Sequence, residues 1–249
     1  MNARARIGLL GGTLDPIHVG HLATAEAARN ALGLDRVYVL PSHVPPHRTQ
    51  RPVASGYHRF AMTALAIDGL DALEASDIEL CAPGPSFTAD TLTRFRERAA
   101  AQDSQIFFIG GADAFAEIET WHRYPEVLDL ANFAVVSRPQ LPVESLRTAL
   151  PELAPRMISV TANREPRPFG SLRVALSHVE GRIANREHAI FLIDAKTPDV
   201  SSTEVRRRLA AGESVTGMIP DAVERHIRQH RLYSKHSDRP AADHLHGQD

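Results

Sequence analysis

The sequence predicts an α/β fold, with a doubly wound parallel sheet covered by helices and a C-terminal helical part. Short apolar runs alternate with helical patterns along most of the chain, which is typical of a parallel sheet covered on both faces. The first run, RIGLL, leads directly into a glycine-rich loop and then into a helical pattern. Because ligands in such sheets bind beyond the carboxyl ends of the strands, this loop is a candidate binding element.

The elements follow from these patterns in chain order. The predicted strands are residues 6–10, 37–40, 77–80, 105–109, 133–137 and 189–194. The predicted helices are residues 18–32, 57–67, 88–100, 112–120, 143–150, 202–211 and 221–230. We expect one domain over residues 1–234, in which residues 151–188 are an insertion with a helix near 174–183. The polar, aperiodic residues 235–249 are predicted to be a disordered tail.

Composition excludes several classes of protein. With 28 Lys and Arg against 30 Asp and Glu, the net charge is −2, so no bulk field attracts the chain to nucleic acid or membranes. A single cysteine, Cys81, excludes an internal disulfide and a cysteine-based zinc cluster. The start of the chain has no signal-peptide pattern, and no apolar run approaches a membrane span. These features predict a cytoplasmic protein.

The stretch GGTLDPIHVGH follows the first strand and suits phosphate binding. Gly11 and Gly12 let the backbone turn and approach a ligand closely. His18 and His21 share one face of the first helical turn, whose free N–H groups attract anions. Imidazoles donate hydrogen bonds and can be charged near neutral pH, and Gly20 leaves room between the two rings. The structural alternative is a capped helix with two incidental histidines.

A second candidate anion site lies nearly two hundred residues later, in VSSTEVRRRL. Its Ser-x-x-Glu pattern is a capping box, which alone is a sufficient structural explanation. However, Ser202, Thr203 and Arg206 share one face of the first turn, where two hydroxyls and a guanidinium can bind phosphate. Both interpretations remain open from the residues alone.

These two stretches resemble the H-x-G-H and I-S-S-T-x-I-R motifs of the nucleotidyltransferase superfamily, with Leu14 where an aromatic is usual. The stretches PSHVPPHR, PSFTADTL, FFIGGADAFAEIETWHRYPEVL, AVVSRP and GMIPDAVERHIRQHRLY are similar, in order, to bacterial nicotinate-mononucleotide adenylyltransferases. The resemblance spans residues 6–233, apart from 151–188. It implies a Rossmann-like sheet and adenylyl transfer from ATP to nicotinate mononucleotide, the step before amidation to NAD.

The resemblance also implies roles for individual residues. His18, His21 and Arg206 are expected to be catalytic. The expected ATP-binding residues are Gly11, Gly12, Thr13, Asp15, His18, Gly20, His21, Gly110, Asp113, Arg138, Ser202, Thr203 and Arg206. The expected acceptor-binding residues are His47, Arg48, Thr88 and Trp121. Mg²⁺ is expected on the ATP phosphates and water, with no direct protein ligand named.

The acceptor residues have physical interpretations of their own. The flat ring of Trp121, the only tryptophan, can stack on a pyridine ring, or it can be a core aromatic at a helix end. The backbone N–H of Thr88 at a helix start can receive the nicotinate carboxylate, or Thr88 can be a plain N-cap. Asp113 can accept from a ribose hydroxyl or cap a helix. His47 and Arg48 can close on the acceptor phosphate or belong to a surface loop; Arg48 replaces the usual lysine.

Three rival functions stay open at this point. The same chemistry can act on nicotinamide mononucleotide or phosphopantetheine, and the choice depends on a few hydrogen bonds whose direction a sequence does not give. A nucleotide-binding regulator predicts damaged phosphate-binding residues, whereas both motifs are intact here. A nucleic-acid enzyme related to the class I tRNA synthetases conflicts with the net charge. A homo-oligomer is a further expectation.

Overall fold

The computed structural model describes residues 4–46, 52–98, 103–139, 141–161 and 188–234. The strands are β1 (Arg6–Gly12), β2 (Arg36–Pro41), β3 (Leu73–Ala75), β4 (Gln105–Gly111), β5 (Asn132–Val136), β6 (Met157–Thr161) and β7 (Ile190–Asp194). The α-helices are α1 (Val19–Leu32), α2 (Gly56–Ile67), α3 (Thr88–Glu97), α4 (Ala112–Phe115), α5 (Leu146–Ala149), α6 (Ser202–Ala211) and α7 (Asp221–Gln229).

The described strands form one parallel sheet in the order β3-β2-β1-β4-β5-β7-β6. The chain runs outward from β1 to β3 and then restarts at β4 on the other side of β1. The order of strands therefore reverses between β1 and β4, whose carboxyl ends carry the pairs Gly11-Gly12 and Gly110-Gly111. This is the switch point at which open α/β sheets bind ligands. The predicted Rossmann-like, doubly wound sheet is confirmed.

Apolar residues bury both faces of the sheet. In β4, Phe107 and Ile109 join the cluster that includes α1, α2, α6 and α7. Their neighbours Ile106 and Phe108 join the cluster on the other face, with α3, α4 and α5. Successive side chains of a strand point to opposite faces, so a continuous apolar run is what a doubly covered strand requires.

One strand predicted from the sequence is wrong, and two observed strands were not predicted. The predicted strand 77–80 is wrong, because these residues form turns in which Cys81 N donates to Asp77 O and Ala82 N to Glu79 O, at 2.9 and 3.2 Å. The edge strands β3 and β6 escape prediction. β3 has only three residues, and both strands pair with one neighbour only, β2 or β7, so neither has the continuous apolar run of a doubly covered strand.

Four of the seven predicted helices agree within one residue with α1, α2, α6 and α7, whereas predicted helix 88–100 ends at Glu97. In α6 the caps explain the agreement. Ser201 Oγ accepts from Glu204 N at 3.2 Å, and Gly212 ends α6 in the left-handed region at φ 72°, as the capping pattern predicts. Predicted helices 112–120 and 143–150 instead break into α4 and α5 with adjoining 3₁₀ turns. None of the described helices is both long and apolar enough to cross a bilayer.

The segment treated as an insertion, residues 151–188, includes one strand of the sheet. Its residues 157–161 are β6, which pairs with β7 in parallel register. The predicted helix near 174–183 and the tail 235–249 lie outside the described residues. The single-domain boundary therefore stays a prediction.

Candidate active site

The loop from Thr13 to His18 joins β1 to α1 across the carboxyl end of the sheet. Its start is fixed to β2, because Ser42 N donates to Gly12 O at 2.8 Å. Leu14 is 1% exposed and packs in the core, so this unusual residue occupies the expected packing position. Buried contacts thus hold a loop that presents main-chain groups at the switch point.

The two histidines of the loop are in contact but have different environments. Their rings stack with centroids 3.7 Å apart, and His18 N donates to His21 Nδ1 at 3.3 Å. Because Nδ1 of His21 accepts, the neutral ring carries its proton on Nε2, which makes Nε2 the donor. His21 lines the cleft described below, whereas His18 is the buried N-cap of α1.

The electrostatics of His18 differ from the expectation. Burial, with a smaller contribution from Arg138, lowers the pKa of His18 to about 4, so the ring is neutral at pH 7 rather than charged. Its Nδ1 is buried without a hydrogen-bond partner among the described residues. The structure also explains Gly20: a Cβ there would lie 3.0 Å from His18 Nδ1, so the room it leaves accommodates the His18 ring.

A cleft of about 330 Å³ lies over the carboxyl ends of β1 and β4, within the range of small-molecule sites. Many of the predicted site residues line it, namely Gly11, Gly12, Thr13, His21, Thr88, Gly110, Asp113, Trp121 and Arg138. Arg138 Nε lies 3.4 Å from Asp113 Oδ1, so a cation and a carboxylate lie next to each other in the lining of the cleft. The structure therefore brings residues from four separate stretches of sequence into one cleft.

The second motif packs against the first loop, and its Ser202, Thr203 and Arg206 are not among the residues that line the cleft. Arg206 Nη1 donates to Asp15 O at 2.6 Å, and Ser202 Oγ donates to Pro16 O at 2.9 Å. Arg206 Nη2 also donates to Thr203 Oγ1 at 3.3 Å, which places these side chains on one face of α6, as predicted. The two motifs, nearly two hundred residues apart, are thus in direct contact through loop carbonyls.

Asp15 has a structural environment. Its carboxylate is 3% exposed and accepts from Val53 N at 2.8 Å, Ala54 N at 3.1 Å and Tyr233 Oη at 2.7 Å. The buried Arg59 donates nearby to Thr13 O at 2.8 Å. The carboxylate therefore fastens the loop to the start of α2 and to the C-terminal segment.

Two of the four predicted acceptor residues, Trp121 and Thr88, line the cleft. Trp121 is half-buried and packs edge-on against Phe108 and Phe133, with centroids 5.8 and 6.4 Å away. Its two interpretations are compatible, since a ring anchored in the core also lines the cleft. Thr88 is the first residue of α3, after an N-cap, Phe87, whose side chain makes no capping bond. His47 and Arg48 lie outside the described residues.

Sequence reasoning misses several residues of the cleft, including Thr24, Ser42, Glu79 and Ser86. Glu79 is 5% exposed, accepts from Thr91 Oγ1 at 2.8 Å, and has its pKa raised by burial. Its position follows from the turn at residues 77–82, which the sequence presents as a strand. Thr24 lies on α1, one turn after the histidines, and its Oγ1 lies 3.5 Å from Arg138 Nη1. Helical spacing from His21 is the signal that could have found it.

Comparison with known proteins connects this geometry to a family. Residues 9–208 match the cytidylyltransferase-like family. A probable nicotinate-nucleotide adenylyltransferase of Thermoanaerobacter sp. (strain X514) is 34% identical over 94% of this chain and 97% of its own length. Another from Pelobacter propionicus is 38% identical over 92% of this chain and 99% of its own.

Solved structures support the fold. The nicotinic acid mononucleotide adenylyltransferase of Plasmodium falciparum, solved in complex with NaAD, aligns with a TM-score of 0.64 at 16% identity, over 92% of this chain and 98% of that one. A putative nicotinate-nucleotide adenylyltransferase from Vibrio parahaemolyticus aligns with a TM-score of 0.53 at 15% identity, over 93% and 96%.

Proposed function

The chain belongs to the cytidylyltransferase-like family and, within it, to the nicotinate-nucleotide adenylyltransferases, and we propose that it joins ATP to nicotinate mononucleotide. A phosphate oxygen of the mononucleotide attacks the α-phosphorus of ATP in line. The bond between the α-phosphorus and the bridging oxygen breaks, and pyrophosphate leaves. The dinucleotide product is nicotinate adenine dinucleotide.

The observation that supports this most directly is the set of residues that line this cleft. The histidine loop and Arg138 lie with α1 on one face of the sheet, and Trp121 and the start of α3 pack with the cluster on the other face. Such a cleft suits a polyphosphate on one side and an aromatic carboxylate on the other. Holding both substrates in line lowers the barrier by positioning and charge stabilisation, so the protein needs no nucleophile of its own.

His21 is the proposed main donor to the triphosphate. Its Nδ1 accepts from the His18 N–H, so the proton of the neutral ring is on Nε2, the nitrogen that can donate. The hydrogen bond strengthens as negative charge builds on the phosphates. His18, also a proposed catalytic residue, orients His21 through its main-chain N–H. Because its own ring is neutral at pH 7, that ring can act on phosphate only as a hydrogen-bond donor, without charge.

We place the second motif beside the same phosphates. Ser202, Thr203 and Arg206 stay the proposed second phosphate contact, since the first turn of α6 joins the loop at Asp15 and Pro16. Thr13 and the glycines of β1 and β4 line the cleft, where their main-chain groups can approach the nucleotide. Gly20, also proposed for the nucleotide site, acts by making room for the His18 ring. Asp15 acts by holding that loop, a role its buried carboxylate supports better than direct contact with ATP.

On the acceptor side, Trp121 is proposed to stack on the pyridine ring and Thr88 N–H to bind the carboxylate. The first-turn N–H groups of α3 favour an anion. On the ATP side, Asp113, which lies beside Arg138, is proposed to bind a ribose hydroxyl of the nucleotide. Pro45 and Pro46 line the cleft directly before His47 and Arg48, which supports the proposal that these two contact the acceptor phosphate.

Mg²⁺ fits this site as an ion carried by the nucleotide. The two carboxylates of the cleft are separately engaged, Asp113 with Arg138 and Glu79 with Thr91. Neither arrangement is a carboxylate cage, whereas Mg²⁺ commonly binds through substrate phosphates and keeps several waters. When bound, the ion neutralises phosphate charge.

The test is pyrophosphate release with ATP and Mg²⁺, comparing three acceptors at equal concentration. Nicotinate mononucleotide should give the highest kcat/KM, with nicotinamide mononucleotide and phosphopantetheine at least 10-fold lower. Preference for another acceptor would refute the roles of Thr88 and Trp121 but leave the phosphate chemistry intact. No release with any acceptor would support a nucleotide-binding regulator instead. Oligomeric state and cytoplasmic location stay predictions.

A further inference from the structure

Three histidines meet on the outside of the fold, where α2 contacts α7. His58 lies in the first turn of α2, His226 lies in α7, and His230 follows α7 as its C-cap. One ligand nitrogen from each ring lies within 4.8 Å of the other two. Within the part of the chain that the structure describes, no other set of three His, Cys, Asp or Glu residues meets this condition. We call these three residues the histidine cluster.

The spacing is that of a metal site. His226 and His230 are four apart, so they project from the same face of the helix end. Zinc binds imidazole nitrogen at about 2.0–2.1 Å in tetrahedral geometry, which places two ligand nitrogens roughly 3.3 Å apart. His58 Nδ1 and His226 Nε2 are 3.1 Å apart, close to this value. His230 is exposed, so its ring can rotate toward the other two.

A hydrogen bond between two neutral rings also explains the 3.1 Å contact. That hydrogen bond does not account for the position of the third ring, His230. Its centroid lies 4.9 Å from that of His58 and 4.5 Å from that of His226. Three imidazoles that converge in this way can each offer one ligand nitrogen to a metal ion.

We propose that the histidine cluster binds one divalent transition-metal ion, Zn²⁺ foremost, through one nitrogen of each ring and with water completing the shell. Imidazole ligands suit zinc, copper and nickel, whereas Mg²⁺ prefers oxygen. No cluster residue is among those that line the cleft. Because its ligands come from α2 and from α7 with its C-cap, the ion would join α2 to the C-terminal segment. Tyr233 of the same segment donates to Asp15 in the loop after β1. Its role is to stabilise the fold around the candidate active site.

The test is a zinc titration of the full chain, purified without a polyhistidine tag and stripped of metal. A chromophoric chelator as competitor gives affinity and stoichiometry, and Co²⁺ reports tetrahedral ligation through its visible absorption. The variants are His58→Asn, His226→Asn and His230→Asn. Because the tail also contains histidines, the matched control replaces His236, His244 and His246 with Asn together.

We expect one Zn²⁺ per chain, bound at least 50-fold more weakly in each cluster variant and unchanged in the tail control. Zinc at about 100 times its Kd should raise the Tm of the wild type by several degrees, and that of the cluster variants much less. Unchanged affinity in all three cluster variants, or loss of binding in the tail control, would overturn the proposal. The absence of binding at micromolar zinc would also overturn the proposal. The histidine cluster would then be a hydrogen-bonded pair, His58 and His226, with His230 beside it.

Discussion

Tyr233→Phe removes one hydrogen bond that fastens the C-terminal segment to the loop after β1. The hydroxyl donates to Asp15 Oδ1 at 2.7 Å, and the Tyr233 side chain is 5% exposed. Hydrogen bonds to charged groups contribute about 1.5–3 kcal/mol. Since Asp15 keeps its bonds from Val53 N and Ala54 N, we expect the free energy of unfolding to fall by about 2 kcal/mol.

Urea unfolding, followed by circular dichroism, measures this change. At about 2–4 °C per kcal/mol for a chain of this size, Tm should fall by roughly 4–8 °C. The matched control is Tyr57→Phe, because Tyr57 is 85% exposed and its hydroxyl has water as a partner in either state. A loss below about 0.5 kcal/mol for Tyr233→Phe, within the range of ordinary surface substitutions, would refute the assigned role of this bond.

The same bond predicts a pH dependence with a definite sign. Burial, followed by the Asp15 charge, raises the pKa of Tyr233 above its ordinary value. A group with a raised folded-state pKa contributes stability below its unfolded pKa and loses it as pH rises. The stability gap between wild type and Tyr233→Phe should therefore narrow above about pH 10, the ordinary tyrosine value. A constant gap up to pH 11 would contradict this assignment.

Three further predictions concern the site itself. His21→Ala should lower kcat about 10²- to 10³-fold at saturating ATP, because the lost donor acts on charge that develops in the transition state; wild-type turnover would refute its role. Trp121→Ala should raise KM for nicotinate mononucleotide about 10- to 100-fold, from the usual energy of ring stacking, and leave KM for ATP nearly unchanged; the reverse pattern would exclude stacking. His18, whose pKa is lowered to about 4 from 6.5, stabilises the fold above pH 6.5 and loses this contribution as pH falls through 4. Wild type should therefore lose about 3 kcal/mol more than His18→Asn between pH 7 and 4 in urea titrations, and parallel losses would contradict the assignment.

The central part of the fold could be predicted from sequence because its signals are local. A doubly covered strand such as β4 must be apolar throughout, and α6 carries its own cap and stop at Ser201 and Gly212. The edge strand β3 has no such signal, since Leu-Glu-Ala becomes a strand only by pairing with β2. Glu79 was missed for a related reason: its neighbours form an apolar alternation, while tertiary contacts fold them into a turn.

The candidate site shows a second limit of sequence, which concerns the roles of residues rather than their positions. Asp15 and His21 lie six residues apart in one motif, and the sequence around them does not show which of them contacts the ligand. Their contacts in the fold show the difference. The Asp15 carboxylate accepts a hydrogen bond from Tyr233, 218 residues away, whereas His21 lines the cleft. A motif that folds a tight loop must include groups that hold the loop as well as groups that bind the ligand. Substitutions should therefore separate into two classes, since Tyr233→Phe acts on the free energy of unfolding and His21→Ala acts on turnover.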